Sequence, residues 1–230
     1  MAITLQRDGD FAHLSMDDGK ANAFDLGFFT ELDAALDDCG DAAAVILRGR
    51  DGMFSGGLNL KVLQGSTPEA LLELLSRFGR TMHRVWLEPR PVVAACTGHS
   101  VAGGTILAMA ADHAVAARGE FRWGLNETAI GMVMPEWILA IARANVRADR
   151  YEDLILSGAL ISPEAAVEAG FADELADPAD VVAAAEAKAA ALAALPRHAY
   201  AATKRRLRAA ASEASLAVME ADLRAALGMA

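Results

Sequence analysis

The sequence predicts an α/β body followed by a helical C-terminal region. Three observations lead there. Short apolar runs of strand character alternate with helical segments through residues 1–120. From Glu136 onward the apolar spacing is helical almost throughout. The 230 residues, 54% of them hydrophobic, supply a core for one large domain or a domain with an appendage. No solenoid repeat, low-complexity linker or clear break divides them.

Ile3–Leu5 and Phe11–Met16 read as strands joined by a turn at Asp8-Gly9-Asp10. Leu26–Leu36 has helical spacing. Ala44–Leu47 is a short buried strand ending at Arg48-Gly49, followed by a turn at Ser55-Gly56-Gly57. Thr67-Pro68 opens a long helix, with threonine as N-cap and proline at the first helical position. Leu71, Leu75, Phe78, Met82, Val85 and Trp86 mark its buried stripe, and Pro89–Pro91 ends it. Val92–Thr97 is a buried strand leading into a second glycine turn. A helix at Ile106–Ala111 and a strand at Ala114–Ala117 follow. Ser162-Pro163 and Asp177-Pro178 each start a helix by the cap-plus-proline device, and Pro196 stops the second. Leu216, Met219, Leu223 and Leu227 form one apolar stripe on the last helix. That stripe covers either the chain's own core or a neighbouring subunit.

Composition narrows the function. The net charge of −10 argues against a nucleic-acid surface, which needs clustered Lys and Arg. The one basic run, Lys204–Arg208, reads as a solvated helix face, with an anionic-cofactor contact as the lesser alternative. Cys39 and Cys96 have no metal spacing and imply no disulfide framework, which fits a reducing compartment. The five histidines show neither ligand spacing nor a paired nucleophile, so no metal is expected. MAITLQRDGD has no basic region followed by an apolar run, and Val101–Ala111 is too short to cross a bilayer. A soluble cytoplasmic protein without a membrane partner is expected.

The chemistry centres on FRWGLNETAIGMVMP, residues 121–135. It sets Glu127 among apolar and small residues, where burial disfavours the charged form and raises a carboxyl pKa. A glutamate tuned this way takes and returns a proton near neutral pH. A loop glutamate is ordinarily solvated. Two glycine turns weigh against that here: FSGGLNLK (54–61) and GHSVAGG (98–104). Each lies between a strand and a helix, and glycine permits close backbone approach to a ligand. The second runs directly into a helix N-terminus with its free N–H groups. Together they suit an oxyanion hole; singly, each is equally well a plain tight turn. Neither has the Gly-Lys-Ser/Thr of a phosphate-binding loop.

In order along the chain, KANAF (20–24), FSGGLNLK, PVVAACTGHSVAGG with Asp112 beyond it, LNETAIG and LSGALISPEAAVEAGFADEL resemble the crotonase (enoyl-CoA hydratase/isomerase) superfamily over nearly its whole length. Within it, GLNET (124–128), Pro135-Glu136-Trp137 and HAYAATKRRLRAA resemble the mitochondrial-type Δ3,Δ2-enoyl-CoA isomerases. The resemblance implies a spiral of repeated ββα units over residues 1–175, with a helical oligomerisation region at 176–230. It implies a homotrimer, or a hexamer as a dimer of trimers. It places oxyanion donors at Gly56 and Gly103, the acid/base at Glu127 and a substrate-contacting asparagine at Asn126. Gly57, Leu58, Asn59 and Leu60 fall on the acyl and pantetheine path. Lys20, Ala21 and Ala23 fall on the segment that receives the adenine end of coenzyme A. No cofactor is implied beyond the coenzyme A carried by the acyl-CoA substrate.

Three positions depart from the family pattern. Hydratases of the superfamily carry a first glutamate on the helix after the second glycine turn; Ile106 stands there. Asn59 replaces a usual aspartate, and Met134 stands near a usual proline. With one carboxylate rather than two, the expected reaction is isomerisation of 3-enoyl-CoA to 2-trans-enoyl-CoA. Hydration, dehydration or thioester hydrolysis on the same scaffold, and acyl-CoA binding without turnover, are the alternatives.

Overall fold

The computed structural model describes residues 2–229. Strands β1 (Ala2–Asp8) and β2 (Phe11–Asp17) pair antiparallel with Asp8 opposite Phe11, so Gly9 and Asp10 make the turn. From β2 the sheet continues in parallel through β3 (Ala44–Arg48), β5 (Val92–Cys96), β7 (His113–Ala117) and β9 (Glu174–Ala176). A second, parallel sheet contains β4 (Gly52–Ser55), β6 (Gly98–Val101) and β8 (Trp123–Gly124). Each of β3, β5 and β7 is thus followed by a strand of the small sheet and then by helical structure. This is the expected ββα spiral.

The two faces of the large sheet are read from alternating residues. Val45, Leu47, Ala94, Cys96 and Ala116 face the main core, while Ala44, Ile46, Val93, Ala95, Val115 and Ala117 face the opposite way. A parallel sheet needs both faces covered. Helix α8 (Val181–Ala193) covers the second face with Val181, Ala185 and Ala189, the alanines permitting close approach. The main core receives α1 (Leu26–Asp38), α3 (Pro68–Leu87), α4 (Gly103–Ala110) and α5 (Glu136–Asn145).

Side-chain caps define several helix starts. Asp25 accepts the Phe28 N–H of α1, Thr67 the Ala70 N–H of α3, and Ser162 the Ala165 N–H of α7 (Pro163–Ala169). Asn59 accepts the Lys61 N–H of a short α2 (Leu60–Gly65), so its amide keeps the capping role of an aspartate. Asp177-Pro178 is different: the chain makes a turn there, and α8 begins only at Val181. Its side chains enter the sheet face from Val181 onward, so packing rather than the proline sets the start.

The last helix, α9 (Arg197–Ala226), packs on α3 and α5 through Met219 and Leu223. Gly79 of α3 admits it: a Cβ there would lie 2.6 Å from the Met219 sulfur and 3.2 Å from the Trp137 ring. Nearby, His83 Nδ1 lies 2.7 Å from Ser212 Oγ and Nε2 lies 3.2 Å from the Trp137 carbonyl, joining α3, α9 and α5. Burial holds the His83 pKa below its ordinary value. The basic run is not the solvated face expected of it throughout. Lys204 is buried and bonds Asp112 at 2.6 Å, and Arg208 bonds the same carboxylate at 2.8 Å.

Gly79→Val should therefore lower stability by about 2 kcal/mol through overpacking at the α3–α9 contact. A thermal melt should show Tm falling by roughly 4–8 °C; an unchanged Tm would mean that contact is looser than described.

Candidate active site

Segment 18–24, the end of β4, the start of α4 and the loop after β8 converge on one place. Asn22 has a φ of +48° and is fully buried. Its Nδ2 donates to the Met16 carbonyl at 2.9 Å and the Phe54 carbonyl at 3.1 Å. Ser55 completes the clamp: its hydroxyl donates to the Asn22 carbonyl at 2.7 Å and accepts the Gly57 N–H at 3.0 Å. The chain then leaves β4 through Gly57, at φ +81°. A Cβ on Gly57 would lie 2.7 Å from the Gly103 nitrogen, so glycine is required by close approach as well as by conformation.

The expected donor pair needs one correction. The Gly56 N–H donates to the Ala21 carbonyl at 2.8 Å and is not free. In the bridge between Phe24 and Leu58, Phe24 N–H donates to the Gly57 carbonyl and Asn59 N–H to the Phe24 carbonyl. The Leu58 N–H is left over and finds no acceptor among the described residues. Gly103 is the first residue of α4, so its N–H is one of the helix's orphan donors. Ala102, at φ +52°, turns the chain into that helix.

Leu58, Gly103, Gly56, Leu60, Asn126 and Glu127 line a common outer cavity of about 240 Å³. Glu127 is 6% exposed. It begins a 3₁₀ turn (Thr128–Ile130), and its carbonyl accepts the Ile130 and Met132 N–H groups at 3.1 and 2.9 Å. Thr128 Oγ1 donates to the Ile155 carbonyl, fastening the turn to α6 (Ala148–Ser157). The Glu127 Oε2 and Asn126 Oδ1 atoms are both buried without a hydrogen-bond partner among the described residues. Burial pushes the Glu127 pKa up to about 7.

Behind Glu127 lies an inner cavity of about 180 Å³. It shares Leu58, Phe78, Glu127 and Met132 with the outer one and is closed by Leu223, Ala226 and Leu227 of the C-terminal segment. Among the described residues, Glu127 is the sole carboxylate lining either cavity. Ile106 is fully buried in α4 and lines neither. Among the described residues no group of three or more His, Cys, Asp or Glu is placed to hold a metal, and no helix is long and apolar enough to cross a membrane.

The sequence profile of the enoyl-CoA hydratase/isomerase family matches residues 7–227. The chain belongs to this family. It is 33% identical over 204 residues to a probable enoyl-CoA hydratase of Mycobacterium avium, covering 86% of this chain and 78% of the relative. A solved structure of an Mtb enoyl-CoA isomerase superposes with a TM-score of 0.90 at 36% identity, covering 97% of each chain. The human mitochondrial Δ3-Δ2-enoyl-CoA isomerase gives a TM-score of 0.94 at 26% identity, covering 99% of this chain and 91% of that one. The crotonase fold expected from the sequence is therefore present, and family relatives carry both reaction names.

Other family-derived positions lie outside these cavities. Gly57 is the spacer behind the donors, and Asn59 caps α2. Lys20, Ala21 and Ala23 line neither cavity. The Lys20 carbonyl accepts Arg50 Nε at 2.7 Å, and the Ala23 N–H donates to Asp18 Oδ2 at 3.1 Å. Ala21 touches the outer cavity's rim through Gly56. Phe78 and Met132 line both cavities, and sequence reasoning left them in the core and the loop.

The raised pKa of Glu127 sets a pH signature. Between about pH 4.5 and 7 the unfolded chain loses this proton before the folded one does, so stability falls as pH rises through that window. The total is about 3 kcal/mol. Glu127→Gln should melt close to wild type at pH 4.5 and clearly above it at pH 8. Equal melting temperatures at pH 8 would mean the carboxylate is solvated.

Proposed function

We propose that this family member isomerises 3-enoyl-CoA to 2-trans-enoyl-CoA. The observation that carries the reading is a buried carboxylate, Glu127, lining one cavity with the Leu58 and Gly103 backbone donors. The C2 hydrogen of a 3-enoyl thioester is acidic because its carbanion delocalises onto the thioester oxygen and the adjacent double bond. The Leu58 and Gly103 N–H groups receive that oxygen as charge develops, each contributing ~3 kcal/mol in comparable sites. Glu127 removes the C2 proton and returns one to C4, moving the double bond with no net gain or loss of atoms. Its pKa of about 7 suits both transfers at neutral pH. Hydration by a matched pair of carboxylates would need a second acid/base, and Ile106 stands where hydratases of the family carry it.

The acyl-CoA is held with its thioester between the donors and its tail in the inner cavity, while Asn126 Oδ1 offers an unpaired acceptor beside the reacting atoms. The coenzyme A leaves past Leu60 toward the 20–23 segment. The reading includes a cytoplasmic homotrimer or hexamer, for which the exposed Leu195 and Leu207 provide apolar surface.

Wild type should convert 3-hexenoyl-CoA and leave crotonyl-CoA unhydrated, while Glu127→Gln should lose at least about 10²-fold in kcat. Wild-type turnover in that variant, or hydration outpacing isomerisation, would sink the assignment. Gly57→Ala should force the Leu58 and Gly103 donors apart and lower kcat by about 10²-fold, with a smaller change in KM. A change confined to KM would remove those donors from the transition state.

A further inference from the structure

The inner cavity shares part of its wall with the protein surface. Val133, Pro135 and Ala226 line it and also line an open groove of about 580 Å³ on the outer surface. Two of the three come from the loop before α5, and the third is a small side chain on the last turn of α9. The groove floor is apolar: Leu139 from α5, Met134 before it and Val218 of α9. Val133 is 73% exposed and Val218 43%. The carboxylates at its rim already have partners. Glu136 bonds Arg143 at 2.7 and 2.8 Å, and Asp222 Oδ2 accepts the Glu136 N–H at 3.2 Å.

We propose that this groove is a second acyl subsite, which takes the distal end of long acyl chains passing beside Ala226. The assignment rests on the acyl-CoA reading above. Adjacency favours this occupant, because three residues are walls of both spaces and the one that α9 supplies, Ala226, has a small side chain. Capacity supports it. At roughly 30 Å³ per methylene, about the volume of a water molecule, the inner cavity holds about six carbons beyond C4. Chains longer than about ten carbons have to leave it. The outlet is apolar, so each emerging methylene still gains by burial.

Saturated acyl-CoAs report on the subsite without turnover. Calorimetric titration of the full chain should show hexanoyl-CoA and decanoyl-CoA binding, with tetradecanoyl-CoA tighter than decanoyl-CoA by about tenfold. Ala226→Leu, which plugs the passage, and Val218→Asp, which charges the floor, should each erase that last gain. Both positions are exposed, and circular dichroism checks that each variant is folded. If decanoyl-CoA binds but tetradecanoyl-CoA is no tighter, or if both variants keep the gain, the subsite falls while the acyl-CoA reading stands. No binding by hexanoyl-CoA or decanoyl-CoA brings down both. A lower sedimentation mass for Val218→Asp with the chain-length gain intact would assign the groove to a second copy and overturn the proposal.

Discussion

Two backbone segments can offer free N–H groups to one small cavity only if they nearly touch, and here Gly57 and Gly103 meet that constraint. A single added carbon at either position would collide with the other segment or with Phe24 and Phe78. The small sheet holds the two segments at this separation: β4 and β6 are adjacent parallel strands, and each donor follows the end of its strand. Asn22 and Ser55 hold the first turn by side-chain bonds, and the unusual backbone of Ala102 directs the second into α4. The large sheet, packed on both faces, makes this arrangement rigid.

Against those donors stands an acid whose surroundings oppose its charge. A buried carboxylate with an unpartnered oxygen is destabilising unless it keeps its proton. The fold tolerates this at Glu127 because the 3₁₀ turn is fixed by backbone bonds and by Thr128. Reactivity and strain therefore share one residue, while the helix position expected to carry a second acid in hydratases holds a core isoleucine.

Much of this was legible in the residues. The hairpin, the buried core strands, the capped α3 and the seclusion of Glu127 follow from alternation, capping chemistry and local apolarity. The short strands β4, β6 and β8 were not legible as strands, because they are glycine-containing and too brief to show a period. The donor at Leu58 escaped for another reason. Glycine reports where a backbone is free to bend, and only the completed bonding pattern reports which amide is left over. Gly56 has the freedom, yet Ala21 takes its proton. Phe78 looked like any core aromatic because its spacing on α3 is that of the buried stripe, and the same side chain also faces the cavities. The α8 start was misread because proline signals where a helix is permitted, whereas the sheet decides where it is needed.

The wall formed by Leu223, Ala226 and Leu227 comes from the close of α9, far along the polypeptide from the glycine turns. Fraying of that last helical turn would admit bulk water to the chamber behind Met132. The acid would then revert toward an ordinary glutamate, ionised well below neutrality and a feebler base. Proton affinity at residue 127 is thus governed partly by how firmly the last turn of α9 is seated.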